Sequence, residues 1–126
     1  MAIVGIGTDI VEIARISEQQ ERLGDKLARR VLTESEFTTY LQSKQPERFL
    51  AKRFAAKEAA AKALGTGIGR GVSFQHIHID NDDNGAPQVR FTDGALARLE
   101  QLAGKHGFIS IADEKHYAVA TVVLES

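Results

Sequence analysis

Asp9 sits in the run Gly5-Ile6-Gly7-Thr8-Asp9-Ile10-Val11, a carboxylate inside an apolar stretch. Burying a carboxylate is costly unless it is paired or bound to a cation. The glycines beside it let another backbone or a ligand approach closely. Phe54, Glu58 and Lys62 are spaced four apart, so on a helix they form one ridge. Asp9 and Glu58 together would offer hard oxygen ligands, and Mg²⁺ commonly takes one or two carboxylates plus phosphate oxygens and water. Each feature also has a plainer reading. Glu58 before Lys62 is the favourable order for a surface ion pair, and Asp9 could face solvent at a strand end or cap a helix. Ala55, Ala59, Ala60, Ala61 and Ala63 surround the pair, so the local surface is low and open to a bulky neighbour.

Other constellations are weaker. Lys44, Arg48, Lys52, Arg53, Lys57 and Lys62 face only Glu47 and Glu58 between residues 44 and 62, a field suited to an anionic ligand or an acidic partner, or simply a solvated helix face. Gly65-Thr66-Gly67-Ile68-Gly69-Arg70-Gly71 follows a helix instead of opening one and lacks a closing G-K-[ST], so neither dinucleotide-binding nor P-loop use is expected. Asp80-Asn81-Asp82-Asp83-Asn84-Gly85 begins like a calcium loop, but its twelfth position is Phe91, so it reads as a hairpin turn. His76 and His78 alternate on one strand face with no third ligand, and an exposed polar face is expected there. No Ser-His-Asp arrangement and no aromatic-plus-basic platform for nucleic acid can be argued.

The elements that must hold these residues follow from pattern and punctuation. Residues 2–11 read as a buried strand and 12–23 as a helix. Thr33 and Glu36 make a capping box that should open a short helix. Pro46 suits the first turn of a long alanine-rich helix that Gly65 ends. Residues 72–80 alternate as a strand, Asn84-Gly85 turns the chain, and 87–91 return. Asp93 can cap a helix running to about residue 105, followed by strands over 108–112 and 117–124 joined by a turn at 113–116. The order β-α-α-α-β-β-α-β-β is α+β: one small domain, a mostly antiparallel sheet packed against a long helix.

The 126 residues, 43% hydrophobic and 26% charged, suit one globular domain. Without cysteine, there is no disulfide framework, zinc-thiolate site or thiol nucleophile. The N-terminal stretch lacks a basic leader and a cleavage site, and no run approaches the roughly 20 apolar residues of a membrane span. A cytoplasmic protein without nucleic-acid or membrane partners is expected.

Two motifs extend this reading: Gly5-Ile6-Gly7-Thr8-Asp9-Ile10-Val11, and Arg53-Phe54-Ala55-Ala56-Lys57-Glu58-Ala59-Ala60-Ala61-Lys62-Ala63 followed by Gly65-Thr66-Gly67. With both, the chain resembles the holo-acyl-carrier-protein synthases, small phosphopantetheinyl transferases, over essentially its whole length. The resemblance implies transfer of 4′-phosphopantetheine from coenzyme A to a serine of acyl carrier protein, leaving adenosine 3′,5′-bisphosphate, in support of fatty acid biosynthesis. It implies Mg²⁺, or Mn²⁺, on Asp9 and Glu58. Lys62 would contact the transferred phosphate, and Lys44, Arg48, Arg53 and Gly65 would join Lys62 in binding coenzyme A. Glu58 is the preferred base, directly or through a bound water. It further implies a homotrimer with sites between subunits, so that Asp9 and Glu58 of one site could come from neighbouring chains. Arg15 and Arg22, seven apart on one helix face, would meet the acidic carrier, and Arg29 and Arg30 would extend that surface. Many members carry a histidine where this chain has Asp113, so no histidine, His116 included, is assigned to the coenzyme. Two other readings remain: a coenzyme-binding module without catalysis, which needs no metal, and a structural trimer that docks acidic proteins, which needs neither metal nor Lys62.

Overall fold

The computed structural model describes residues 1–126. The chain runs β1 (Ile3–Glu12), α1 (Ile13–Leu23), α2 (Lys26–Val31), α3 (Glu34–Gln42), α4 (Pro46–Ala63), a 3₁₀ turn (Phe74–His76), β2 (Ile77–Asn81), β3 (Pro87–Phe91), α5 (Asp93–Gln101), β4 (His106–Asp113) and β5 (Tyr117–Glu125). One antiparallel sheet has the order β1-β5-β4, and β2 and β3 form an antiparallel hairpin. The architecture is the expected α+β one, with a mostly antiparallel sheet on a long helix.

Helix α4 lies against the inner face of the three-stranded sheet. Its Ala55, Ala56, Ala59, Ala60 and Ala63 join Ala120, Val122 and Leu124 of β5 in the main core. Small residues on the helix let the sheet approach closely, and the larger side chains come from the strand. A second cluster, around Ile16, Val31, Leu50 and Phe74, seats α1 and α2 on the first half of α4. Leu50, Leu64, Ile77 and Leu124 are fully buried, each contributing about 1.5–3 kcal/mol.

The capping box forms: the Thr33 amide donates to Glu36 Oε1 at 2.8 Å, and the Glu36 amide to Thr33 Oγ1 at 3.4 Å. Other expectations need correction. Helix α2 was not anticipated; only Ala28 and Val31 of its six residues are buried, too few to give a periodic pattern. The strand expected over 72–80 pairs only from Ile77, because His76 Nδ1 accepts from the Ser73 amide and closes a turn. Helix α5 is preceded by Thr92 as its cap residue, Asp93 being its first helical residue, and it ends at Gln101 instead of near residue 105. Ala103 there turns left-handed, with φ of 61°.

Candidate active site

The pleat of β1 puts Gly5, Gly7 and Asp9 on the face toward α4, and Ile6, Thr8 and Ile10 on the other. A side chain at Gly7 would run into the Ala59 carbonyl and the Ala63 amide, and one at Gly5 into the Ala63 carbonyl. The glycines of one motif and the alanines of the other therefore make room for each other. That close approach carries Asp9, next on the same face, to the ridge of α4. Lys62 Nζ donates to Asp9 Oδ1 at 2.9 Å and to the Thr8 carbonyl at 3.1 Å. The plain surface pair between Glu58 and Lys62 is not made; Lys62 bonds across the two elements instead.

Glu58 lies one turn earlier on α4, half-buried, and faces the same cleft as Asp9, a space of ≈ 310 Å³ walled by Val11, Ile16, Leu27 and Phe54. Burial pushes the Glu58 carboxyl above its ordinary pKa; the nearby Asp9 charge adds to this, and Lys62 and Arg30 partly offset it. Within one chain the two carboxylates border the same cleft, so one chain brings together the two groups that the resemblance allowed to come from neighbours. Two like charges facing one cleft, with all-oxygen donors, fit a hard divalent cation. Glu12 borders the same cleft, but no three ligating side chains group together, so a cation there would take its remaining ligands from phosphate and water.

A second cavity, of ≈ 340 Å³, opens at the start of α4 beside the β2–β3 hairpin, with Arg48, Lys52, Arg53, Phe49, Pro87 and Ile111 in its wall. Arg53 is buried, its guanidinium 4.7 Å over the Phe49 ring, and its Nε has no hydrogen-bond partner. Burial lowers the Arg53 pKa, opposed by Glu36 and Asp80. The expected coenzyme set is thus dispersed within the chain. Arg48 and Arg53 share this cavity, and Lys44 is exposed nearby in the sequence but outside its wall. Lys62 and Gly65 lie toward the other end of α4, whose 18 residues span about 27 Å. Gly65, with φ of 81°, ends that helix as anticipated.

Arg15 and Arg22 are exposed on α1 and enter no ion pair; Arg15 also borders the Asp9–Glu58 cleft. Arg29 and Arg30 rest over the rings of Phe37 and Phe74 at 4.5 and 5.7 Å. The histidines do not form the exposed face expected of them: both are half-buried, His76 in the turn bond and His78 Nε2 at 3.1 Å from Thr92 Oγ1. Asp82 Oδ1 accepts from the Asn84 and Ala86 amides, which makes the acidic run a hairpin turn as read.

Sequence reasoning missed Lys57. It is fully buried, with Nζ 2.6 Å from Glu36 Oε1 and donating to the Val31 and Phe74 carbonyls at 2.8 and 3.1 Å. Glu36 Oε2 in turn accepts from the Ile79 amide. The residue beside Glu58 thus ties α4 to α2, α3 and β2. The available signal was position: Lys57 falls among Ala55, Ala56, Ala59 and Ala60, on the buried side of the helix.

A family model described as the 4′-phosphopantetheinyl transferase superfamily matches residues 5–122. The holo-[acyl-carrier-protein] synthase of Shewanella frigidimarina is 94% identical over 126 residues, covering all of both chains. Among solved structures, the holo-[acyl-carrier-protein] synthase of Neisseria meningitidis superposes with a TM-score of 0.92 at 42% identity, covering 99% of this chain and 100% of that one. The Helicobacter pylori holo-[acyl-carrier-protein] synthase in complex with coenzyme A superposes with a TM-score of 0.83 at 33% identity, covering 95% and 99%.

Proposed function

The chain belongs to the 4′-phosphopantetheinyl transferase superfamily, and we propose that its chemistry runs in the cleft shared by Asp9 and Glu58, with Lys62 at the edge. The reaction is that of holo-acyl-carrier-protein synthases: 4′-phosphopantetheine passes from coenzyme A to a serine of apo acyl carrier protein, giving the holo carrier and adenosine 3′,5′-bisphosphate. In the cell it would serve fatty acid biosynthesis in the cytoplasm.

The observation that carries the site assignment is the convergence of two carboxylates from one chain beside a lysine bonded to one of them. Mg²⁺, or Mn²⁺, held by Asp9 and Glu58 would supply stabilisation for charge spreading over the phosphoryl oxygens. Lys62, half exposed, can turn its ammonium toward the bridging oxygen as that bond breaks. Glu58, with its raised pKa, suits acceptance of the serine proton, directly or through a water. Arg48 and Arg53, with Lys44 beyond them, would hold phosphates at the nucleotide end of coenzyme A.

Arg15 and Arg22 suit the acidic carrier, being exposed and unpaired. A homotrimer is supported by the outer face of the sheet, where Ile6, Ile10 and Phe108 are 67%, 64% and 55% exposed. Association through that face would also let a neighbour complete the dispersed coenzyme pocket. The test is to incubate the protein with coenzyme A, Mg²⁺ and apo acyl carrier protein and weigh the carrier. A mass gain of one phosphopantetheine is expected, abolished by EDTA and by Asp9→Asn. An unchanged gain in Asp9→Asn would remove that carboxylate from the site.

A further inference from the structure

Asp113, the last residue of β4, pairs with two of the cations in the wall of the basic cavity. Its Oδ2 accepts from Arg48 Nη1 at 2.9 Å, and its Oδ1 lies 3.6 Å from Lys52 Nζ. Arg48 also donates to the Glu114 and Lys115 carbonyls at 2.7 and 3.2 Å. The turn that follows is fixed in its own right, since Glu114 Oε1 accepts from the His116 and Tyr117 amides, both at 2.7 Å. Asp113 is therefore presented on an ordered turn. The cavity holds three cations, of which two are already engaged by this carboxylate, while Arg53 has its Nε buried and unpartnered.

We propose that Asp113 is a built-in counter-anion: it occupies Arg48 and Lys52 when no phosphate is present, competes with the nucleotide end of the substrate, and so keeps the bisphosphate product from being held too tightly. The proposal rests on the reading of this cavity as the phosphate-binding end of the coenzyme pocket. An incoming phosphate meets Arg48 and Lys52, the more exposed cations, and gains them only by displacing a carboxylate or sitting beside it, while Arg53 lies deeper with its Nε unpartnered. Like charge at that distance weakens anion binding, and more so at low salt. A carboxylate at this position therefore sets affinity downward, where a neutral or cationic residue would set it upward.

The test is the affinity of 3′,5′-ADP, by titration calorimetry across a salt series, for the whole protein and for Asp113→Asn, Arg48→Ala and Arg53→Ala. Asp113→Asn is expected to bind 3′,5′-ADP about three- to tenfold tighter, with a steeper loss as salt rises and a lower KM for coenzyme A. Arg48→Ala and Arg53→Ala are expected to bind more weakly. Equal or weaker binding by Asp113→Asn, with Arg48→Ala also weakened, would overturn the proposal and make Asp113 a residue that merely orients Arg48. Unchanged binding in both arginine variants would instead remove the cavity from the coenzyme pocket, and the proposal with it.

Discussion

Glu58 is held in conflict with its surroundings. Burial and the Asp9 charge both favour its protonated form. Because its folded-state pKa is raised, its stabilising contribution is present below the unfolded value and is lost as pH rises through the folded one. At neutral pH the ionised group therefore weakens the fold while serving the reaction. Glu58→Gln should melt at a higher temperature than the parent at neutral pH, with the difference vanishing in acid where the parent is protonated. The same variant should lose about 10²–10⁴-fold in transfer rate. A melting scan at two pH values beside a rate assay checks both, and a lower melting temperature at neutral pH would contradict the conflict. Lys62 shows where single-residue reading stops: its spacing from Glu58 was visible, but its partner proved to be Asp9, 53 residues away.

At the scale of elements, the site depends on how closely β1 rests on α4. Gly7→Ala would push a methyl group into backbone atoms of Ala59 and Ala63. The strand must lift, at about 1–3 kcal/mol, and carry Asp9 away from Lys62. Urea unfolding and transfer rate should both register the change; an unaltered urea midpoint would mean the contact is looser than described. This pairing was half legible in the sequence. The glycines signalled a close approach and the alanines a low surface, but nothing local said that each was the other's partner. The long helix and the Thr33 capping box were readable because their signals are local: Pro46, Gly65 and the threonine–glutamate spacing. Helix α2, the turn at Ser73–His76 and buried Lys57 were not, since each depends on contacts made after the chain has folded. Lys57 looks like any surface lysine until the Glu36 carboxylate and two carbonyls enclose it.

At the scale of the molecule, the sheet has one face on α4 and an outer face that water contacts at Ile6, Ile10 and Phe108. A patch of this kind on one chain suits self-association. The structure also separates Arg48 and Arg53 from Lys62 and Gly65 along α4, so a pocket shared between copies would draw these groups together. Ile6→Asp should convert a trimer into monomers in analytical ultracentrifugation and lower transfer with it. A variant that stays trimeric would move the interface elsewhere.

Whether Asp9 and Glu58 of one chain serve one site can be read by mixing variants. Asp9→Asn and Glu58→Gln, each expected to be strongly impaired, are unfolded together and refolded as mixed oligomers, with the parent protein refolded in parallel as the control. If both carboxylates of every site come from one chain, each site in every mixed particle still lacks one of them, and the transfer rate stays at that of the separate variants. Recovery of a sizeable fraction of the parent rate would mean that one chain lends Asp9 to another's Glu58, and would contradict the site described.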